Sequence, residues 1–388
     1  MCIRDRAYGA QDIYLTGNPQ ITFFKVVYRR HTNFSMEAIE QTFNGSADFG
    51  KRVTCTVSRN GDLMHKVYLQ VTVPALAGVE IWGKNLGQAL IKYAEVEIGG
   101  QRIDKHYGDW MHIWNELSQE AGKKDGYDEM TGADMAAASA ETDLYIPLEF
   151  WFCRNPGLAL PLIALQYHEV KINIEFRGAS DCYSGTPTAA PSLAAASLFV
   201  DYIYLDTDER RRFAQVSHEY LIEQVQFTGD ESVSSLSNKI KLNFNHPCKE
   251  LVWVVQRDAA VAATNRFDYT DTSAVNPVLI AKLQLNGHDR FSERMGRYFN
   301  LVQPYQHHTN VPKAGINVYS FGLKPEEHQP SGTCNMSRID NATLQLTLTA
   351  NTVAGGDAKV RVYATNYNVL RLSLIHISEP TRRYAIAY

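Results

Sequence analysis

The sequence predicts an all-β protein built from two tandem eight-stranded jelly rolls, with long loops and one short helix in the first. Short segments that alternate apolar and polar residues dominate the chain of 388 residues, and a period of two is typical of strands with one buried face. Similar segments return in the same order in the second half. We therefore expect one β unit that occurs twice.

The first strong strand signal is "RVTCTVSRNGDLMHKVYLQVTV" at 52–73. Both arms alternate, and Asn60-Gly61 between them is a dipeptide that favours a tight turn. The pattern predicts a β-hairpin. Its second arm should bury Val67, Leu69, Val71 and Val73.

The duplication rests on three pairs of related segments. They are "AIEQTFNG" at 38–45 with "LIEQVQFTGD" at 221–230, "AEVEIGG" at 94–100 with "AKLQLNG" at 281–287, and "VKINIEF" at 170–176 with "ATLQLTL" at 342–348. The offsets are 183, 187 and 172 positions, counted from Ile39, Ala94 and Val170. Differences in loop length account for this spread, so an internal repeat explains the pairs better than coincidence.

About eight strands in each half leave a closed barrel, an immunoglobulin-like sandwich or a jelly roll. Immunoglobulin domains of about 100 residues are too short. The long excursions at 120–143 and 178–196 favour a jelly roll with projecting loops.

One helix is predicted in "DWMHIWNEL" at 109–117, with Asp109 as a possible N-cap. Apolar side chains fall at helical spacing, which favours core packing over a sugar-binding or base-binding stripe. They are Trp110, Ile113, Trp114 and Leu117.

The charge cluster "DTDERRRF" at 206–213 predicts a solvated or salt-bridged linker between the halves. We place the first jelly roll at 7–207 and the second at 208–372. The ends, 1–6 and 373–388, lack the strand pattern and resemble translated sequencing-adapter read-through. They are expected to be adapter-derived tails.

Composition excludes several classes of function. The net charge is −4 with acids and bases interspersed, which disfavours direct binding of nucleic acid. The apolar runs are shorter than the roughly 20 residues of a transmembrane helix. Six scattered cysteines without a C-x-x-C pair or a signal-peptide pattern indicate synthesis in a reducing, cytosolic compartment.

The sequence contains no convincing catalytic, cofactor-binding or metal-binding set. "HEVKI" and "HEYLI" lack the second histidine of a zinc-protease helix, and no phosphate-binding loop or nucleophile elbow occurs. Histidines and carboxylates in "YQHHTN" and "PEEHQP" leave a cupin-like metal site as an alternative. These residues, which we interpret instead as loop or interface residues, are His307, His308, Glu326, Glu327 and His328.

Several stretches resemble the major capsid proteins of nucleocytoplasmic large DNA viruses, most of all the algal-virus and mimivirus-like members. They are "GAQDIYLTGNPQITFFKVVYRRHTNFSMEAIEQTF", "VEIGGQRIDKHYGDW", "FWFCRNPGLALPLIALQYHEVKINIEF", "FNHPCKELVWVVQ", "PSGTCNMSRIDNATLQLTL" and "YATNYNVLR". They keep the family order from about 7 to 371.

The resemblance implies a structural, non-enzymatic protein without a cofactor. It implies a homotrimer whose six jelly rolls form a pseudo-hexagonal capsomer in an icosahedral shell. Its expected partners are neighbouring capsomers and minor capsid proteins, and its expected location is the virion after synthesis in the host cytoplasm.

The alternative is a carbohydrate-binding tandem jelly roll on a viral surface. Such a protein needs exposed aromatic side chains on its long loops. The candidates in these loops are Tyr127, Tyr183, Phe267 and Tyr269.

Overall fold

A computed structural model of the chain describes residues 11, 14–15, 17–76, 81–135, 140–185, 190–260, 265–354 and 356–372. The chain divides into two compact units, Met1–Phe34 and Ser35–Tyr388. In the first unit, residues 17–33 are irregular and exposed. The second unit carries both sandwiches. The expected adapter-derived tails at 1–6 and 373–388 lie outside the described residues.

Alternating apolar residues form the strands of the first half. These are β1 (Phe34–Gln41), β2 (Arg52–Thr56), β3 (Leu63–Val73), β4 (Ile81–Trp82), β5 (Ile91–Ile98), β6 (Gln101–Tyr107), β7 (Thr142–Leu148), β8 (Leu160–Pro161), β9 (Val170–Phe176), β10 (Tyr183–Ser184) and β11 (Ala195–Leu205).

The second half repeats this pattern. Its strands are β12 (His218–Phe227), β13 (Glu231–Val233), β14 (Ser237–Leu242), β15 (Pro247–Arg257), β16 (Val278–Leu285), β17 (His288–Asp289), β18 (Arg294–Met295), β19 (Ile316–Ser320), β20 (Cys334–Asn335), β21 (Ala342–Leu348) and β22 (Ala358–Leu372).

Each half has the two four-stranded sheets of a jelly roll. The first pairs its strands in the orders β1-β11-β3-β7 and β2-β9-β5-β6, and the second in the orders β12-β22-β15-β19 and β14-β21-β16-β17. The short strands β8, β13, β18 and β20 attach to these sheets, while β4 and β10 pair separately. The orders correspond strand for strand, so the prediction of two tandem jelly rolls is confirmed.

Each jelly roll buries its own apolar core between its two sheets. Val67, Leu69, Val71 and Val73 of β3 belong to the first core, as the alternation predicts. The second core contains Leu344 of β21 and its neighbours on the same face. Alternation therefore identifies the buried face of these strands correctly.

The predicted hairpin at 52–73 is wrong. β2 pairs with β9, whereas β3 pairs with β11 and β7 in the opposite sheet. Neither Asn60 nor Gly61 has the positive φ that a tight hairpin turn of type I′ requires. Residues alternate between buried and exposed whether two strands pair in a hairpin or lie in two facing sheets. Periodicity alone could therefore not distinguish these two arrangements of β2 and β3.

The helices are short and lie mostly in connections. They are α1 (Leu86–Leu90), α2 (Gly108–Ser118), α3 (Lys124–Thr131), α4 (Trp151–Arg154), α5 (Thr207–Gln215), α6 (Gln303–His307) and α7 (Ala350–Val353). A π-helical turn, Tyr298–Val302, leads directly into α6. Single 3-10 turns occur at Ala121–Lys123, Pro156–Leu158, Ala179–Asp181, Asp258–Ala260 and Met336–Arg338.

Helix α2 is the predicted helix, and its apolar stripe is buried. The predicted cap is wrong, because Tyr107 occupies the N-cap position and Asp109 lies inside the first turn. The expectation of a single helix in the first half is also too low. Helix α1 is buried on all sides and therefore has no amphipathic period for sequence analysis to detect.

The charged segment at 206–213 forms helix α5 between the two jelly rolls. Asp206 caps it by accepting a hydrogen bond from the Thr207 amide at 2.7 Å. Arg210 Nε lies 2.9 Å from Oδ1 of Asp62, a buried carboxylate of the first jelly roll. The segment is thus a salt-bridged connection with helical structure that its charges did not indicate.

Candidate functional site: the junction between the jelly rolls

Helix α2 of the first jelly roll packs against the outer face of a sheet in the second. We use "outer face" for the side of a sheet that is turned away from the core of its own jelly roll. Trp110, Ile113, Trp114 and Leu117 form one apolar cluster with residues on that face and with two side chains of the loop between β15 and β16. Their partners are Val252, Val254, Phe267, Tyr269, Ile316, Val318 and Tyr363.

The contact is dominated by aromatic side chains. The rings of Trp110 and Tyr363 lie 5.4 Å apart, and Phe227 stacks on the other side of Tyr363 at 4.8 Å. Aromatic pairs of this kind add about 0.5–1.5 kcal/mol beyond the area they bury. The junction is therefore a third apolar core, shared by both halves.

His112 of α2 is buried in this core and stacks on Phe267, with ring centroids 4.5 Å apart. Burial lowers the pKa of the imidazole to about 4, although Glu116 nearby acts in the opposite direction. His112 is therefore neutral near pH 7.

A charged cluster lies beside the apolar contact. Arg361 of β22 has Nη1 3.7 Å from Asp109 Oδ2 and Nε 2.9 Å from Asp230 Oδ1, and it donates to Gln256 Oε1 at 2.7 Å. Burial disfavours the charge on Arg361, but Asp109 and Asp230 more than offset this and raise its pKa. Asp109 thereby joins α2 electrostatically to the second jelly roll.

A second cluster surrounds Glu223 of β12. Arg154 Nη1 of the first jelly roll lies 2.9 Å from Glu223 Oε2, and Lys249 Nζ lies 2.8 Å from Oε1. Burial favours the neutral acid, but the nearby cations lower the pKa of Glu223 below its usual value. Arg154 also covers the Trp114 ring at 4.2 Å. This carboxylate is consequently charged and shared by both halves.

His308 lies between two carboxylates of the second jelly roll. Its Nε2 is 2.9 Å from Glu250 Oε2, and its Nδ1 is 2.8 Å from Glu326 Oε1. Burial opposes protonation, but the two carboxylates outweigh it and raise the pKa of His308 to about 9. At neutral pH the side chain is an imidazolium that bridges both carboxylates.

The loop after His308 clasps α2. The Asn310 amide donates to the carbonyl oxygen of Leu117 at 2.9 Å. Lys313 Nζ lies 3.1 Å from the buried carboxylate of Glu116. Burial alone would raise the pKa of Glu116, but His112 and the nearby lysines outweigh it and lower that pKa. Apolar packing, ion pairs and backbone contacts therefore all fasten α2 to the second jelly roll.

The structure places the five candidate metal ligands in different surroundings. His307 Nδ1 lies 2.8 Å from the carbonyl oxygen of Leu323, and Glu327 pairs with Lys324 at 3.0 Å. His328 Nδ1 lies 3.8 Å from Glu223. Only His308 and Glu326 of the five bond directly to each other.

Both ring nitrogens of His308 already lie within 2.9 Å of a carboxylate oxygen, so neither faces an open position in which a cupin-like metal could bind. In the part of the chain that the structure describes, no group of three His, Cys, Asp or Glu side chains is arranged to hold a metal ion. Sequence analysis missed Glu223 and Glu250. Glu250 directly precedes the apolar run of β15, which is a weak signal, whereas Glu223 lies among other polar residues of β12 and has none.

The aromatic residues needed for carbohydrate binding are not presented as a loop surface. Phe267 and Tyr269 are buried in the junction. Tyr127 is half-buried on α3 and accepts a hydrogen bond from Gln88, and Tyr183 packs edge-on against Trp82. Within the described ranges, no helix has the length and apolar character to cross a membrane.

Comparison with known proteins identifies the family. Residues 22–206 match the family model "Major capsid protein N-terminus", and residues 209–374 match "Large eukaryotic DNA virus major capsid protein". The major capsid protein of Pyramimonas orientalis virus is 60% identical over 94% of this chain and 95% of its own length. That of Phaeocystis pouchetii virus is 52% identical over 94% and 96%.

Solved structures agree. The quasi-atomic model of the PBCV-1 virus capsid has a TM-score of 0.78 and 41% identity over 90% of this chain and 97% of that one. The Faustovirus major capsid protein shares the fold, with a TM-score of 0.78 at 12% identity over 95% of each chain. The chain therefore belongs to the major capsid proteins of large eukaryotic DNA viruses.

Proposed function

We propose that this protein is the structural subunit of an icosahedral viral shell and that three copies form a pseudo-hexagonal capsomer. The observation that carries the proposal is the repeated strand order of the two jelly rolls. One buried junction joins the two jelly rolls to each other. Similar but unequal domains let a threefold ring present nearly sixfold edges.

The proposal includes a purely structural role. The charged side chains around Glu223 and His308 pair with one another, and the capsid relatives support a role without catalysis. Neighbouring capsomers and minor capsid proteins are the proposed partners. Direct contact with nucleic acid is not proposed, because the net charge is −4 with acids and bases interspersed along the sequence.

We also propose domain bounds of 7–207 and 208–372, and synthesis in the host cytoplasm. Strands β1–β11 precede the boundary between 207 and 208, and strands β12–β22 follow it. Helix α5 forms the connection. The described cysteines are free thiols, as expected in a reducing compartment. They are Cys55, Cys153, Cys182, Cys248 and Cys334.

The test is to purify the full chain and measure its mass in solution by sedimentation velocity, together with negative-stain electron microscopy. We expect particles of three chains with a hexagonal outline. Particles of one chain without that outline, at concentrations up to tens of micromolar, would contradict the proposed function.

A further inference from the structure

The sheet face that is covered at the junction has an uncovered counterpart in the first jelly roll. The outer face of the sheet β12-β22-β15-β19 is sealed, since Val252, Val318 and Tyr363 expose 1% or less. On the corresponding sheet, β1-β11-β3-β7, the outer face lies open. Tyr145 of β7 is 37% exposed there, and Met36 of β1 is 47% exposed.

Aromatic rings run across this open face on three adjacent strands. Phe199 of β11 stacks on Tyr68 of β3 with centroids 5.2 Å apart and an interplanar angle of 2°. Tyr68 in turn contacts Tyr145 of β7 at 6.4 Å. Contiguous aromatic surface of this kind, rimmed by polar residues, is typical of a protein interface.

The helix that covers the junction also has a counterpart. Helix α2 lies between β6 and β7, and its residues from Gly108 to Leu117 are buried. The helical segment Tyr298–His307 lies in the equivalent connection, between β18 and β19. Its solvent side is open, with Leu301 37%, Val302 40% and Tyr305 80% exposed.

We propose that the segment Tyr298–His307 of one copy docks on the outer face of β11, β3 and β7 of a second copy of this chain. In this contact between two chains, the segment would pack on a sheet of the first jelly roll in the way that helix α2 packs on a sheet of the second jelly roll within one chain. It rests on the proposed function and specifies which surfaces form the trimer.

The two surfaces differ, so the contact is head-to-tail, and such a contact gives a closed ring only when its rotation closes. If the contacts within and between chains rotate one jelly roll onto the next by similar angles, each chain adds two equivalent steps to the ring. The proposed trimer then holds six jelly rolls. The duplication thus explains why a second copy of this chain fits the open face.

The test changes one exposed tyrosine on each surface. A carboxylate in a desolvated apolar contact is strongly disfavoured, so Tyr145→Asp and Tyr305→Asp should each weaken the trimer at least about tenfold in sedimentation velocity. The control is Tyr167→Asp. Tyr167 is 70% exposed in the turn before β9, outside the strands and the helical segment of the proposed contact, and its change should leave the trimer intact.

Mixing the two variants tests the head-to-tail arrangement. A Tyr145→Asp chain keeps its helix surface, and a Tyr305→Asp chain keeps its sheet surface, so each pair can form one intact contact. We expect mixed dimers at concentrations at which each variant alone is monomeric. A misfolded variant would not form them.

The outcomes separate this inference from the proposed function. A wild-type chain that is never trimeric contradicts the proposed function itself. A wild-type trimer that both variants leave intact overturns only the proposed surfaces. Mixed samples that remain monomeric overturn the head-to-tail contact, and a trimer lost only on deletion of residues 1–33 would assign the interface to that segment.

Discussion

Two buried histidines at the junction have opposite charge states because their neighbours differ. His308 lies between Glu250 and Glu326, and its pKa is raised to about 9. His112 lies against Phe267, and burial lowers its pKa to about 4. Each shift couples protonation to folding, with opposite dependence on pH.

Replacing His308 with Gln should destabilise the protein by about 3–5 kcal/mol at pH 7, because the buried carboxylate of Glu250 and the partly buried one of Glu326 lose their shared cation. The free energy of unfolding is measured by urea titration. His288→Gln, at an exposed position, is the control and should change it by less than about 0.5 kcal/mol.

The pH dependence gives a further check on His308. Its folded-state pKa lies above the ordinary 6.5, so its contribution is complete below pH 6.5 and is lost as the pH rises towards 9. The difference in stability between the wild type and His308→Gln should therefore shrink over that range. A constant difference would mean that His308 is not charged in the folded protein.

His112→Phe should protect the protein against acid. The folded-state pKa of His112 lies below 6.5, so its contribution is complete above pH 6.5 and is lost as the pH falls to about 4. The loss amounts to about 3 kcal/mol from this shift. Near pH 7 the two proteins should differ by less than about 3 kcal/mol, since the larger ring overpacks the core while it replaces an imidazole nitrogen that has no hydrogen-bond partner.

The measurement is the free energy of unfolding at several pH values between 7 and 4. Carboxylates away from His112, such as Glu223, also lose their ion pairs on acidification, but they do so in both proteins and cancel in the comparison. Glu116 is coupled to His112, so its change is part of the measured difference. Parallel pH curves would rule out a neutral buried His112 as a source of acid sensitivity.

At the level of elements, a very close approach occurs where β6 turns into α2. Gly108 begins the helix, and a Cβ atom there would overlap the backbone carbonyl oxygens of Gln88 and Ile91. Backbone cannot move aside as a flexible side chain can. The absence of a side chain at Gly108 thus sets how closely α2 lies to α1 and β5.

Gly108→Ala should therefore destabilise the protein by about 1–3 kcal/mol or more, the usual effect of overpacking. Gly126→Ala in α3 is the matched control, because its added methyl would meet nothing within 4 Å. There the better helix propensity of alanine should stabilise by about 0.5–1 kcal/mol. Thermal or urea unfolding that gives both variants the same sign of change would refute this account.

Periodicity predicted the strands well and their partners poorly. The alternation in "VKINIEF" located β9 and its buried face, since each side chain reports which side of the sheet it occupies. Between β2 and β3 the same alternation suggested a hairpin, although the strands lie in opposite sheets. Pairing depends on the path of the connection, which a period of two does not encode.

At the scale of the whole molecule, the duplication was predictable and the junction was not. Repeated segments reveal a common fold because each copy must form the same core. The junction brings Arg154, Glu223 and His328 together from three distant parts of the chain. Each of these residues, taken singly, resembles an ordinary surface residue in the sequence.

Arg154 and Glu223 allow one ion pair between the two jelly rolls to be measured, because they come from different halves and lie 2.9 Å apart. A double-mutant cycle with Arg154→Met and Glu223→Gln should give a coupling free energy of about 1–3 kcal/mol in urea unfolding. Glu223→Gln also leaves Lys249 without its carboxylate, but it does so in both Arg154 backgrounds. That cost therefore cancels in the cycle.

The control cycle uses Lys324 and Glu327, which are 67% and 58% exposed and belong to one jelly roll. Exposed ion pairs contribute about 0–1 kcal/mol to stability, so the coupling free energy between Lys324 and Glu327 should lie near the lower end of that range. Equal coupling in the two cycles would mean that the Arg154–Glu223 pair is no better shielded than a surface pair. A larger coupling across the junction would mean that the halves resist separation, as subunits that fix the geometry of a shell must.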